Sequence, residues 1–191
     1  MSRAEEILDF WFGSPDEPGY GKPKSFWFNK KPEFDEELRI RFLPDYQKAA
    51  AGNLDDWING SDSCLALILL LDQFPRNLFR DTPQAFATDW EALSAAQHAV
   101  AQGYDKKLLS VQRWFIYLPF EHSENLEHQR EAVRLFQQLG DHPDSASCID
   151  YAIRHMQVIQ RFGRFPHRNE ILGRVSTIEE KEFLKQKGSS F

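Results

Sequence analysis

The chain has 191 residues, enough for one domain over residues 1–191 with a sizeable core. It is 41% hydrophobic and 27% charged, with a mean hydropathy of -0.55 and a formal net charge of -6, which argues against a general nucleic-acid binder because neutralising phosphates needs a basic face. The longest apolar run, Leu65 to Leu71, is too short to cross a membrane, and the first residues lack the basic region and cleavage site of a signal peptide.

In chain order, Ser2 with Glu5 forms a capping box that opens a helix through Phe12, stopped by "GSPDEPGYGKP". The "SFWF" after that loop is suited to anchoring it back onto the core. In "PEFDEELRIRF" the residues Phe34, Leu38 and Phe42 recur every fourth position on one stripe, and Pro44 is expected to break or kink that helix. "SDSCLALILLLDQF" is apolar almost all round, as a central helix should be, and Pro75 is expected to end it. Thr88 and Glu91 suggest another capping box, for a helix closed by Gly103. "VQRWFIYL" is expected to end at Pro119, and Ser123 to cap the helix that follows. A long helix from about Asp144 to Phe162 closes at Gly163, and a last one opens at Ser176 or Thr177 with Glu179 and Glu180 as capping partners. Hairpin signals and a fixed-period repeat are both missing, so the fold class is all-α, a multi-helix bundle or stacked helical hairpins. Cys64 and Cys148 both lie in apolar helical context, where a reduced thiol is expected, and the location read from them is cytoplasmic.

Chemistry gathers in three segments. In "LDQFPRNLFR", Asp72 is followed by Pro75, Arg76 and Asn77. In "YLPFEHSE", Glu121, His122, Ser123 and Glu124 come straight after a very apolar stretch. The third runs from "YAIRH" through "RFGRFPHRNEILGR" and carries Arg154, His155, Arg164, His167, Arg168, Asn169 and Arg174. "FPRN" and "FPHRN" echo each other, each showing arginine and asparagine just past an aromatic residue and a proline. Between Tyr151 and Arg174 five arginines face one glutamate, a local excess that attracts anions.

Two readings stay open for these residues. They can form a polar clamp, with arginines bonding orphan carbonyls at helix ends and pairing with Glu121, Glu124 and Asp72. Alternatively, the arginines outnumber their acidic partners, leaving donors for a ligand. A metal site built from His122, His155 and His167 with Glu121 or Glu124 lacks any HExxH or Glu-x-x-His spacing, and the neighbouring arginines would repel the ion, so no metal is expected. The chain also lacks a glycine-rich phosphate loop and a dinucleotide fingerprint, so no cofactor is expected. Ser123 beside His122 is better suited to capping than to nucleophilic attack, and His98, His128 and His142 read as surface residues.

The motifs "ILDFWFG", "LLLDQFPRNLFR", "AFATD", "YLPFEHSE" and "RFGRFPHRNEILGR" resemble a bacterial domain-of-unknown-function family, numbered 924, over essentially the whole chain. The resemblance implies an all-helical, tetratricopeptide-like fold and brings no activity, cofactor or catalytic residue with it. Positions that match its motifs are Asp72, Arg76, Asn77, Asp89, Glu121, His122, Arg164, His167, Arg168 and Asn169.

Two functions follow. In the first, Arg76, Asn77, Arg154, Arg164, Arg168 and Asn169 hold a small anionic molecule, with His122 or His167 as acid or base tuned by Glu121 or Asp72. It predicts a concave pocket in which some arginines lack protein partners. In the alternative, the chain is a tetratricopeptide-like protein-interaction module in which those residues are structural. That function predicts satisfied arginines and an exposed aromatic patch around Trp27 and Phe28. Neither a nucleic acid nor a membrane is expected as a partner.

Overall fold

The computed structural model describes residues 1–140 and 144–190, and the described residues are helical and without strands. His142 lies outside them. Helix α1 (Arg3–Phe12) opens at the Ser2–Glu5 capping box and buries Ile7 and Trp11. The loop after it folds back as its composition predicts. Trp27 donates its Nε1 hydrogen to the Trp11 carbonyl at 2.9 Å, and its ring stands edge-on to Phe12 and Phe115.

Helix α2 (Pro32–Ala50) places Leu38 and Phe42 in the core and continues through Pro44 as one helix. Proline removes the hydrogen bond to the carbonyl four residues back, that of Ile40. Ile40 and Pro44 are both exposed, so water can solvate that carbonyl.

Pro75 also fails to stop its helix. Helix α3 (Ser61–Ile68) runs into a π-helical turn, Leu69–Gln73, and on into α4 (Phe74–Leu78). Pro75 cannot donate to the Leu71 carbonyl, and the Thr88 hydroxyl does so instead at 2.6 Å. The expected Thr88 cap is therefore absent: α5 (Asp89–Ala101) starts without a side-chain cap because that hydroxyl is used elsewhere.

Helix α6 (Ser110–Glu121) passes through Pro119 and carries Glu121 at its end, with His122 as its C-cap. Helix α7 (Leu126–Gln137) is capped by Asn125, not by the expected Ser123, whose hydroxyl pairs with His128 Nδ1 at 2.8 Å. That contact leaves His128 half-buried, and His98 is half-buried too, against their reading as surface residues. Helix α8 (Ala146–Phe162) closes on Gly163, in the left-handed conformation. Helix α9 (Ile178–Leu184) opens at a Thr177–Glu180 capping box.

Helix α3 packs on α1, α5 and α6, and α7 packs on α6 and α8. Trp11 centres the aromatic core, with its ring 5.5–6.2 Å from those of Phe26, Phe34, Phe74 and Phe115. A smaller cluster of Val158, Ile159 and Phe165 lies between α8 and the segment leading to α9. None of the helices is long and apolar enough to cross a membrane among the described residues.

Candidate functional site

The helices that run through Pro75 and Pro119 deliver their polar ends to one cavity of about 790 Å³. Arg76 and Asn77 come from α4, Glu121 and His122 from the end of α6, His155 from α8, and His167 with Arg168 from the turn after α8. This volume falls in the usual range of small-molecule pockets.

Asp72 lies in the π-helical turn and is fully buried beneath that wall. Its Oδ1 stands 2.7 Å from His122 Nδ1, and its Oδ2 accepts from Gln73 Nε2 at 2.6 Å. Arg76 Nη1 lies 3.3 Å from the same Oδ1 and donates to the Asp72 carbonyl at 2.6 Å. Burial alone would raise the Asp72 carboxyl, but Arg76 first and then His122 hold it well below the usual carboxylate range. His122 is pushed down, by burial and then by Arg76, more than Asp72 can offset, so its ring is neutral at neutral pH. An ionised carboxylate only accepts hydrogen bonds, so the ring proton sits on Nδ1. The basic lone pair is then on Nε2, the arrangement that prepares a histidine for taking a proton.

Asp89 serves two arginines. Arg76 reaches it at 2.8 and 3.0 Å, and Arg168 Nη1 makes a longer contact at 3.4 Å. Arg168 is only 7% exposed, and its Nε has no hydrogen-bond partner among the described residues. Its guanidinium lies between two rings, 4.6 Å from the centres of both Phe86 and Phe165. Burial and then Arg76 push its pKa down to about 10, the mark of a cation poorly met by the protein. His167 beside it is pushed down to about 3 by burial and then by Arg168.

A second carboxylate–histidine pair stands in the same wall: Glu121 Oε1 is 3.0 Å from His155 Nδ1, which also lies 2.8 Å from the Tyr151 carbonyl. Glu121 therefore meets a histidine where an arginine was expected. Asn77 lines the cavity while its amide donates to Asp35 at 2.7 Å, a carboxylate that Arg80 also holds. Cys148 lines it too, but burial and then Glu121 push its thiol up to about 12, so it is not a thiolate at neutral pH.

Three residues expected at a ligand lie away from this cavity. Arg164 holds both Glu180 oxygens at 2.7 and 2.8 Å and the Val175 carbonyl at 2.9 Å. Asn169 is fully buried, donates to Ser176 and Glu180, and accepts from Arg174. Arg154 donates to the Gly188 carbonyl and lies over the Tyr151 ring. Arg174, with two bonds to Glu124 at 2.7 and 2.9 Å and a third to the Phe165 carbonyl, completes a clamp that ties the end of α8 to the start of α7. The segment from Arg161 to Arg174 thus divides: Arg164, Asn169 and Arg174 hold the protein, while His167 and Arg168 face the cavity.

Trp27 is 5% exposed, so the aromatic patch expected there reduces to Phe28, which is 61% exposed. Both line the cavity, as do Phe86 and Trp114, and the latter two were not anticipated. The spacing of Trp114, Leu118 and His122, each four apart on one helix face, was the available signal.

No curated protein matches the chain. A solved structure of a protein of unknown function from Agrobacterium tumefaciens is similar to it, with 42% sequence identity and a TM-score of 0.84 over 95% of this chain and 96% of that one. The family described as bacterial protein of unknown function (DUF924) matches residues 7–188, and the chain belongs to that family.

Proposed function

We propose that the cavity binds a small anionic molecule and that His122 acts on it as a general base. Arg168 carries this reading: a buried guanidinium whose one ion pair among the described residues, at 3.4 Å, is to a carboxylate already engaged by Arg76. An incoming anion gives Arg168 the close partner that the protein does not. In this scheme Arg76 and Arg168 bind the anion, Asp72 is the positioning residue that sets the His122 tautomer, and Nε2 of His122 takes the proton. Neutral His167 and the Glu121–His155 pair supply further polar groups along the wall. The interaction-module alternative asks for satisfied arginines and an exposed aromatic patch, and both Arg168 and buried Trp27 count against it. We further treat residues 1–191 as one domain and place it in the cytoplasm, where unpaired Cys64 and Cys148 with thiols near 12 would stay reduced.

The test is thermal melting in acetate and in phosphate against chloride at equal ionic strength, for the wild type and Arg168→Ala. At a ligand concentration 100 times Kd, linkage gives about 2.7 kcal/mol, a rise of about 5–11 °C for a chain of this size. The wild type should show such a rise with at least one of the two anions, and Arg168→Ala should lose it. Equal behaviour of the two proteins would refute the assignment.

A further inference from the structure

The wall that α6 gives the cavity changes character along its length. Trp114, Leu118 and His122 stand one above another on one face of the helix, and a rise of 1.5 Å per residue puts roughly 12 Å between the levels of Trp114 and His122. At the Trp114 level the surroundings are aromatic. Trp27 stands 6.0 Å from Trp114, ring centre to ring centre, and 6.5 Å from Phe28, whose exposed ring also stacks on Phe115. At the His122 level they are cationic, with Arg76 and Arg168.

A bare inorganic anion would satisfy one end of this cavity and leave the aromatic end wet. Charge also limits the choice. Asp72 and Asp89 both stand close to Arg76, and Asp89 lies within 3.4 Å of Arg168, so one further negative charge fits here better than two. We propose that the ligand is an elongated monocarboxylate: its carboxylate lies between Arg76 and Arg168, and an apolar body reaches to Trp114, Trp27 and Phe28. A span of roughly 12 Å corresponds to an acyl chain of roughly eight to ten carbons, or an aryl-alkyl group of that length. This inference rests on the anion site proposed above and adds the chemical class of what occupies it.

The experiment is calorimetric titration of the wild type, Arg168→Ala and Phe28→Ala with acetate, butanoate, hexanoate and octanoate at fixed ionic strength. Affinity should rise about fourfold for each buried methylene, so octanoate should bind far more tightly than acetate. Phe28→Ala removes a ring that is mostly exposed, and should weaken octanoate severalfold while leaving acetate unchanged. Arg168→Ala should weaken the whole series. Acetate binding with no gain along the series would overturn the apolar body and leave the anion site standing. Failure of every carboxylate to bind would overturn this inference, and the anion site falls with it only if phosphate also fails to stabilise the wild type. A rising series indifferent to Arg168→Ala would overturn the carboxylate anchor.

Discussion

Asp72 and His122, 50 positions apart in the chain, meet at 2.7 Å between two helices that each run on through a proline. Asp72 lies three residues before Pro75, and His122 three residues after Pro119. Had α6 stopped at Pro119, the imidazole of His122 would leave the helix before it reached the carboxylate. Each continuation depends on what happens to the carbonyl that the proline leaves without a donor.

At Pro75 the substitute donor is Thr88, so Thr88→Val should be costly for a nearly isosteric change. It leaves the buried Leu71 carbonyl without its 2.6 Å partner, at a cost of about 1–3 kcal/mol. For a chain of this size the melting point should fall by about 2–12 °C. An unchanged melting curve would show that the π-helical turn holds without this bond.

Arg168 and Arg174 should respond unequally to truncation. Arg174→Ala removes two bonds to Glu124 and one to the Phe165 carbonyl, with an expected loss of about 1.5–3 kcal/mol, or about 3–12 °C. Arg168→Ala loses one long ion contact and two ring contacts but relieves a buried charge, so in buffer free of binding anions its melting point should fall less than that of Arg174→Ala. The reverse ranking would make Arg168 the clamp and Arg174 the free donor.

Acid should destabilise the protein before its carboxylates titrate. His167 has its pKa pushed from 6.5 down to about 3, so below about 6.5 the unfolded chain takes up a proton that the folded one refuses. The stabilisation is complete above that pH and is lost as pH falls towards 3. His122, lowered as well, acts in the same direction. Melting points measured from pH 6.5 to 5 should fall, and His167→Gln should make that fall shallower. Parallel curves for the two proteins would contradict the neutral, half-buried state of His167.

What the sequence made legible follows from how local each interaction is. The Ser2–Glu5 and Thr177–Glu180 boxes close within three residues and could be read directly. The long α8 helix and its Gly163 cap were also plain from local pattern. Pro44, Pro75 and Pro119 misled because the cost of an internal proline depends on a distant hydroxyl or on solvent. The charge excess between Tyr151 and Arg174 was real, but Glu124, Glu179 and Glu180 outside that window answer most of it. Arg164 and Arg168 are alike in sequence context, and only the position of Glu180 in three dimensions separates the clamp residue from the cavity residue.

The central claim is that burial and Arg76 keep His122 neutral while buried Asp72 fixes its proton on Nδ1, leaving Nε2 as the base of the cavity. Nitrogen-15 NMR of the imidazole rings near pH 7, with His122→Gln to assign the signal, tests this directly. The account predicts a protonated Nδ1 and an unprotonated Nε2 for His122, and an Asp72→Asn variant in which that preference weakens. A doubly protonated ring at pH 7, or a proton on Nε2 alone, would contradict it.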